Sequence, residues 1–323
     1  MAKQKPKHSS RIKALTVVAV VFAGMLYLQA QDRPAATTVP VRMTVTATPL
    51  NDKAMPELSR DDIMVKQGKD RLKVTDWTPA RGDQAGLDLF ILIDDACDIS
   101  LGSQLGDLRA FITAQPSTTS VGVGYMSNAT VQIVQNFTAD HEQAAKALRL
   151  PLQNAGAFGS PYLSVVDLMK RWPAHPNRRE IVMVTDGIDR ARRSFGTRMP
   201  TINPDVDTAS DVAQRTGAII YTIYSPGIGH WHRNFWRANN GQIGISKLSE
   251  ETGGESYYLG FQSPVSFKPY LDDVQKMINS QYILGFLAKP KNKAGLQGVQ
   301  ISTEVAGVDF SAADSVWVPA AKQ

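Results

Sequence analysis

A chain of 323 residues with 43% hydrophobic and 20% charged side chains can fill one large domain or two moderate ones, which excludes global disorder. Its formal net charge of +5 is matched by Lys3, Lys5, Lys7, Arg11 and Lys13 alone. The remainder is close to neutral, which speaks against a nucleic-acid partner. Cys97 is the single cysteine, excluding an internal disulfide, a lipidated cysteine near the start and a cysteine-rich metal site.

The basic start runs into an apolar stretch over 14–28, the pattern of a secretory n-region and h-region. Such a stretch is short against the roughly 20 residues of a bilayer span. Cleavage after Ala30 would set the large Leu28 at the −3 position. Two readings of 1–30 therefore stand, a cleaved signal peptide or a membrane anchor, with 31–38 as linker. Both export the body of the protein, to the periplasm, the medium or the membrane surface.

Alternating apolar residues Val41, Met43, Val45 and Ala47 predict a half-buried strand, and 63–65 with 72–74 a hairpin across Gly68. Residues 39–84 thus form a small β segment, marginal alone. From 85 to 262 the pattern changes to strands alternating with helices. Strands are expected at 87–93, 120–126, 131–134, 181–184, 218–224 and 256–259. Helices are expected at 101–112, 141–148, 162–170, 205–214 and 245–252. This is an α/β class, a Rossmann-like, mostly parallel central sheet with helices on both faces. Residues 263–323 supply a helix bearing Leu271, Val274 and Ile278, then strands at 282–288, 299–305 and 316–318. These strands are the natural partners of 39–84, giving a small β domain built from both termini.

Four apolar residues, Ile181 to Val184, end at Thr185-Asp186-Gly187, so a buried parallel strand presents an acid at its carboxyl end. Ligands of open α/β sheets sit outside that edge. The strand over 87–93 also ends in acid, Asp94-Asp95-Ala96-Cys97-Asp98, and Phe158-Gly159-Ser160-Pro161 opens the helix before the Asp186 strand. Asp94, Asp98, Ser160 and Asp186 therefore reach one sheet edge. They form an oxygen donor set suited to a hard cation, Mg²⁺, or Ca²⁺ or Mn²⁺.

In these segments the chain resembles the von Willebrand factor A (VWA) domain, and more closely its VWFA-related subfamily of acidobacterial type. Asp94-x-Ala96-x-Asp98 stands where the family carries Asp-x-Ser-x-Ser, Gly159-Ser160 at its threonine loop, and Val184-Thr185-Asp186-Gly187 at its third metal-site segment. Leu248 to Gly254, Ser280 to Phe286, and Leu58 to Ile63 with Gln67-Gly68-Lys69 are similar to further family segments. The resemblance implies a metal-ion-dependent adhesion site, in which Mg²⁺ recruits an acidic residue of a protein partner. Ala96 departs from the pattern because it has no hydroxyl to offer. Asp98, in place of a serine, adds a third carboxylate that lowers the attraction for an acidic ligand.

Arg190, Arg192, Arg193 and Arg198 crowd the loop after Asp186, either as a basic rim for a partner or as a solvated loop with local ion pairs such as Asp189 with Arg193. His230, Trp231, His232 and Trp236 lie in the loop after the 218–224 strand, at the same edge. They read as partner contacts or as an insertion packed on its own domain. No Gly-x-Ser-x-Gly elbow or phosphate loop is present, and Cys97 among aspartates has a suppressed thiolate. The sequence reads as an exported, non-enzymatic binding module for a protein partner, with a degenerate metal site. A metal-free scaffold of the cell envelope is the alternative, and a metal-assisted hydrolase a third reading.

Overall fold

The computed structural model describes residues 38–50, 54–191, 203–229 and 234–321. The basic and apolar segment, its linker up to residue 37, and Arg192, Arg193, Arg198, His230, Trp231 and His232 lie outside the described residues. Among those described, no helix is long and apolar enough to cross a membrane.

The chain opens with β1 (Val39–Pro49), β2 (Ile63–Gln67), β3 (Asp70–Pro79) and β4 (Leu87–Asp94). A 3-10 turn over Ile99–Gln104 leads into α1 (Leu105–Thr113), followed by β5 (Thr119–Ser127), β6 (Thr130–Thr138) and α2 (His141–Lys146). Next come α3 (Pro161–Arg171), β7 (Arg178–Thr185), α4 (Pro204–Thr216), β8 (Ala218–Tyr224), α5 (Phe235–Thr252) and β9 (Ser256–Tyr257). The chain closes with α6 (Lys268–Asn279), β10 (Gln281–Ala288), β11 (Gly295–Gly298), β12 (Gln300–Thr303), β13 (Val308–Ala312) and β14 (Ser315–Val318).

The central sheet has the order β6-β5-β4-β7-β8-β9, parallel except for β6, which runs antiparallel to β5. Every residue of β4 is buried, as continuous apolar runs require of strands covered on both faces. On one face Leu108, Ile112, Ala144, Leu271 and Val274 bring in α1, α2 and α6. On the other, Val165, Leu168, Val206, Ala213, Ile245 and Leu248 bring in α3, α4 and α5. With β5 on one side of β4 and β7 on the other, the sheet changes its direction of growth there. Open α/β sheets place their ligands at such a point, outside the carboxyl ends of β4 and β7.

The terminal segments build a second, antiparallel sheet in the order β12-β2-β3-β10-β1-β13. β1 pairs with β10 from Val39↔Ala288 to Thr46↔Gln281, and β10 with β3 from Tyr282↔Pro79 to Leu287↔Lys73. Trp77 stacks on Tyr282 at 4.4 Å between ring centroids and meets the edge of Phe310 at 5.7 Å. Val316 and Val318 of the β11–β14 ladder pack into this core with Val45 and Phe286. The apolar face of α6 belongs to the central sheet while β10, directly after it, belongs to the terminal sheet. α6 is thus the joint between the two layers.

α5 begins well before the expected start at residue 245. The Asn234 side chain caps it by accepting from the Arg237 amide at 3.2 Å. Asn239, Asn240, Gly241 and Gly244 are poor helix formers, which hides this first half from a propensity reading. The glycines serve packing instead. A Cβ on Gly241 would lie 2.3 Å from the Asp186 carbonyl oxygen, and one on Gly244 would lie 2.1 Å from the Tyr162 hydroxyl. The stretch expected as one strand over 299–305 is only four residues of strand, and β11 and β13 beside it were not expected. All three are short and mostly half-exposed, with weak alternation.

Candidate functional site

Asp94 ends β4 and is buried. Its Oδ1 accepts from the Ala96 amide at 2.8 Å and its Oδ2 from the Thr185 hydroxyl at 2.7 Å, tying the end of β4 to the end of β7. Burial pushes its pKa up to about 6, with the Arg190 guanidinium opposing and the Asp186 carboxylate adding to the rise. Asp186, fully buried, accepts at Oδ1 from the Ile188 amide at 2.9 Å.

The decisive contact is between Asp186 and Arg190. The guanidinium grips the carboxylate with two bonds, Nη1 to Oδ1 at 3.2 Å and Nη2 to Oδ2, and Nη1 also donates to the Ile188 carbonyl at 3.0 Å. The Arg190 side chain is only 9% exposed and that of Asp186 is 0% exposed. Burial works against the charged guanidinium, but Asp186 and then Asp94 outweigh it and hold the Arg190 pKa above its ordinary value. Arg190, expected on a basic rim or in a solvated loop, turns its side chain inward onto Asp186.

Asp98 caps the 3-10 turn, its Oδ1 accepting from the Ser100 amide at 2.9 Å. Ser160 caps α3 and donates its hydroxyl to Asp189 Oδ2 at 2.9 Å. Asp189 Oδ2 also takes a bond from the Asn203 side chain at 2.7 Å, so Ser160 joins a polar cluster at the start of α4. The Asp189 pKa is raised, burial being the main cause and Asp205 a smaller one. Among the described residues no three His, Cys, Asp or Glu side chains gather so as to hold a metal ion. The expected ligand set of Asp94, Asp98, Ser160 and Asp186 is therefore not assembled. Two of its carboxylates face a guanidinium, one caps a turn, and the hydroxyl serves Asp189. The residues present do not fit a dication.

Backbone bonds close the site. The Arg190 and Ala191 amides donate to the Gly159 carbonyl at 2.7 and 3.0 Å, fastening the third loop to the second. The Asp98 amide donates to the Pro226 carbonyl at 2.9 Å and the Ile228 amide to the Ala96 carbonyl at 2.9 Å, laying the loop after β8 over the first. Gly227 sits so close to the ion pair that a Cβ there would lie 2.0 Å from Asp186 Oδ2 and 2.7 Å from Arg190 Nη2.

Asp95 carries more structure than its place beside Asp94 suggests. Both its oxygens bind Arg149, at 2.7 and 2.9 Å, and Arg149 lies 3.6 Å above the Tyr125 ring. No spacing rule links residues so far apart in the chain. Trp236, expected in a loop, stands in the first turn of α5. It is 40% exposed and edge-to-face with Phe235, which in turn meets Phe261. Ile188 to Arg190 and α5 thus bracket the carboxyl edge with charge on the inside and aromatic surface on the outside.

The nucleophile and base candidates of the described residues are buried or already paired. The Cys97 thiol is buried and its pKa is driven well up, by burial first and then by Asp94 and Asp186. The Ser160 hydroxyl faces a carboxylate. His175 bonds Asp88 at 3.0 Å and His141 bonds the Thr119 carbonyl at 2.8 Å, both at the amino-terminal edge of the sheet, on the order of 20 Å from Asp94 by strand rise. Among the described residues no histidine reaches a serine or cysteine.

No family model and no curated protein matches the sequence. Among solved structures, the chain is similar to an aerotolerance-related membrane protein from Bacteroides fragilis at 12% identity and TM-score 0.43, covering 60% of this chain and 99% of that one. It is also similar to BatB, a conserved hypothetical protein from Bacteroides thetaiotaomicron, at 13% identity and TM-score 0.43, covering 60% and 100%. A von Willebrand factor type A protein from Catenulispora acidiphila matches at 9% identity and TM-score 0.43, covering 89% and 75%.

Proposed function

We propose that the chain is an exported, non-enzymatic module of von Willebrand factor A type that binds a protein partner at the carboxyl edge of its central sheet. The observation that carries this reading is exposed aromatic surface on the helix that packs against the carboxyl end of β7, beside the point where the sheet reverses its order. Phe235, Trp236 and Phe261 are 58%, 40% and 37% exposed, and Phe235 meets both of the others at the start of α5, the helix whose Gly241 lies against the Asp186 carbonyl. Exposed aromatic residues flanked by arginine are the usual anchors of protein interfaces. Export is supported by the basic and apolar order of residues 1–30.

Capture from an envelope extract tests the partner reading. Trp236→Ala and Phe235→Ala should each weaken capture of a partner while leaving thermal stability within a few degrees, and Lys66→Ala on the terminal sheet should not weaken it. Equal capture by all four proteins would refute the edge as the interface. A reporter active only outside the cytoplasm, fused after residue 38, should be active if export is correct. A metal-assisted hydrolase is the weaker reading, because the carboxylates it would need are tied to Arg190 and to the caps.

A further inference from the structure

We infer that Arg190 is the resident cation of the carboxyl edge, its guanidinium taking the place a dication would hold against Asp94 and Asp186, so that the edge is organised without metal. The inference deepens the binding-module reading but is tested by stability alone, so a failed partner assay leaves it standing.

Charge is the first ground. Asp94 and Asp186 are buried carboxylates at the ends of adjacent strands, an arrangement that needs a nearby positive charge. Arg190 supplies it from four residues beyond Asp186, with both carboxylate oxygens of Asp186 engaged. A dication entering the same space would be repelled by the fixed guanidinium and would have to break the two-bond grip.

Neutral donors are the second ground. The two Asp94 oxygens are served by the Ala96 amide and the Thr185 hydroxyl, and Asp186 Oδ1 takes the Ile188 amide beside Arg190, each within 2.9 Å. Thr185 donates to Asp94, so its hydroxyl proton is directed at the carboxylate. Residue 96 is alanine and brings no side-chain oxygen.

Access is the third ground. The loop after β8 is bonded across the first loop by the Asp98–Pro226 and Ile228–Ala96 backbone bonds, and Gly227 lies against the ion pair with no room for a methyl group. A metal bound there would also need water or a partner's oxygen in its coordination sphere. The glycine occupies that approach.

The test is thermal unfolding of the purified full chain and an Arg190→Ala variant, each in millimolar Mg²⁺, Mn²⁺ or Ca²⁺, in chelator, and in sodium chloride of matched ionic strength. Wild type should unfold at one temperature in all buffers. Arg190→Ala should unfold roughly 6 to 20 °C lower in chelator, because two carboxylates lose their counter-charge. A divalent-specific rise in wild type would overturn the inference, as would a folded Arg190→Ala that unfolds within about 2 °C of wild type. If Arg190→Ala does not fold, the triple variant Asp94→Asn, Asp186→Leu and Arg190→Met decides, because it leaves neither carboxylate without its counter-charge. Recovery of a cooperative transition supports a self-contained charge cluster, and failure of the triple variant overturns it.

Discussion

Replacing Gly227 with alanine probes the closure of the carboxyl edge by adding one methyl group. The glycine does not use the left-handed backbone region, so alanine carries no conformational penalty and the effect is purely one of contact. The new Cβ would fall 2.0 Å from Asp186 Oδ2 and 2.7 Å from Arg190 Nη2, well inside ordinary van der Waals separation. Relief has two routes. The loop can lift, giving up the Ser225–Thr185, Asp98–Pro226 and Ile228–Ala96 backbone bonds, each worth about 1 kcal/mol net. Otherwise the ion pair can open, which costs about 3–5 kcal/mol when a buried pair is broken outright. The cheaper route sets a loss of about 2–3 kcal/mol, read as a lower urea midpoint at unchanged m-value. Gly106→Ala is the control. Nothing lies within 4 Å of its added Cβ, and α1 gains up to about 1 kcal/mol in propensity. If Gly227→Ala unfolds within about 0.5 kcal/mol of wild type, the loop does not press on the pair and the closed-edge argument fails.

Three further outcomes are expected. Gly241→Ala and Gly244→Ala should destabilise by about 1–3 kcal/mol through overpacking against the Asp186 carbonyl and the Tyr162 hydroxyl, although helix propensity alone calls for a gain; urea midpoints give the sign. Arg149→Ala should cost about 2–4 kcal/mol, since it strips the buried Asp95 of its partner and Tyr125 of its cation; a loss under about 0.5 kcal/mol would contradict the geometry. Asp107 accepts from the Ser266 hydroxyl at 2.6 Å and from the Phe267 and Lys268 amides at 2.8 and 3.2 Å, which lowers its pKa, the Ser266 bond being the largest favourable cause. Its contribution is therefore present above the unfolded carboxylate value of about 3.9 and is lost as pH falls through the folded value. Asp107→Asn should lie about 1 kcal/mol below wild type at pH 6 and converge with it as pH falls below the unfolded carboxylate value and through the folded one, and stability curves that stay parallel throughout acid unfolding would refute the cap.

What the sequence disclosed follows the physics of burial. β4, β7 and β8 are covered on both faces, so their apolar runs are unbroken and their acidic ends stand out. The reversal of the sheet between β5 and β7 follows from the same strands, and it puts Asp94 and Asp186 at one edge. The first half of α5 escaped notice because its glycines answer to tertiary contact and its asparagines to neither propensity nor period. β13 is half-exposed along its length, so alternation is faint there. Asp95 and Arg149 meet only because β4 and the loop after α2 converge in space.

The Asp186–Arg190 pair was hidden for a different reason. A separation of four residues is informative on a helix, where it sets side chains on one face. Residues 186 to 190 are not helical, so the same spacing in the sequence promises no contact. What draws the pair together is the fold of the loop, with Arg190 and Ala191 bonded to Gly159 and Gly187 in a left-handed turn against α5. Once formed, the pair makes sense of two residues that look like losses. Alanine at 96 removes an oxygen that a dication would use but a guanidinium does not need. Glycine at 227 lets the neighbouring loop lie directly on the pair. Restoring a hydroxyl by Ala96→Ser would therefore not by itself create a metal site, because Arg190 would still hold Asp186 and Gly227 would still cover it.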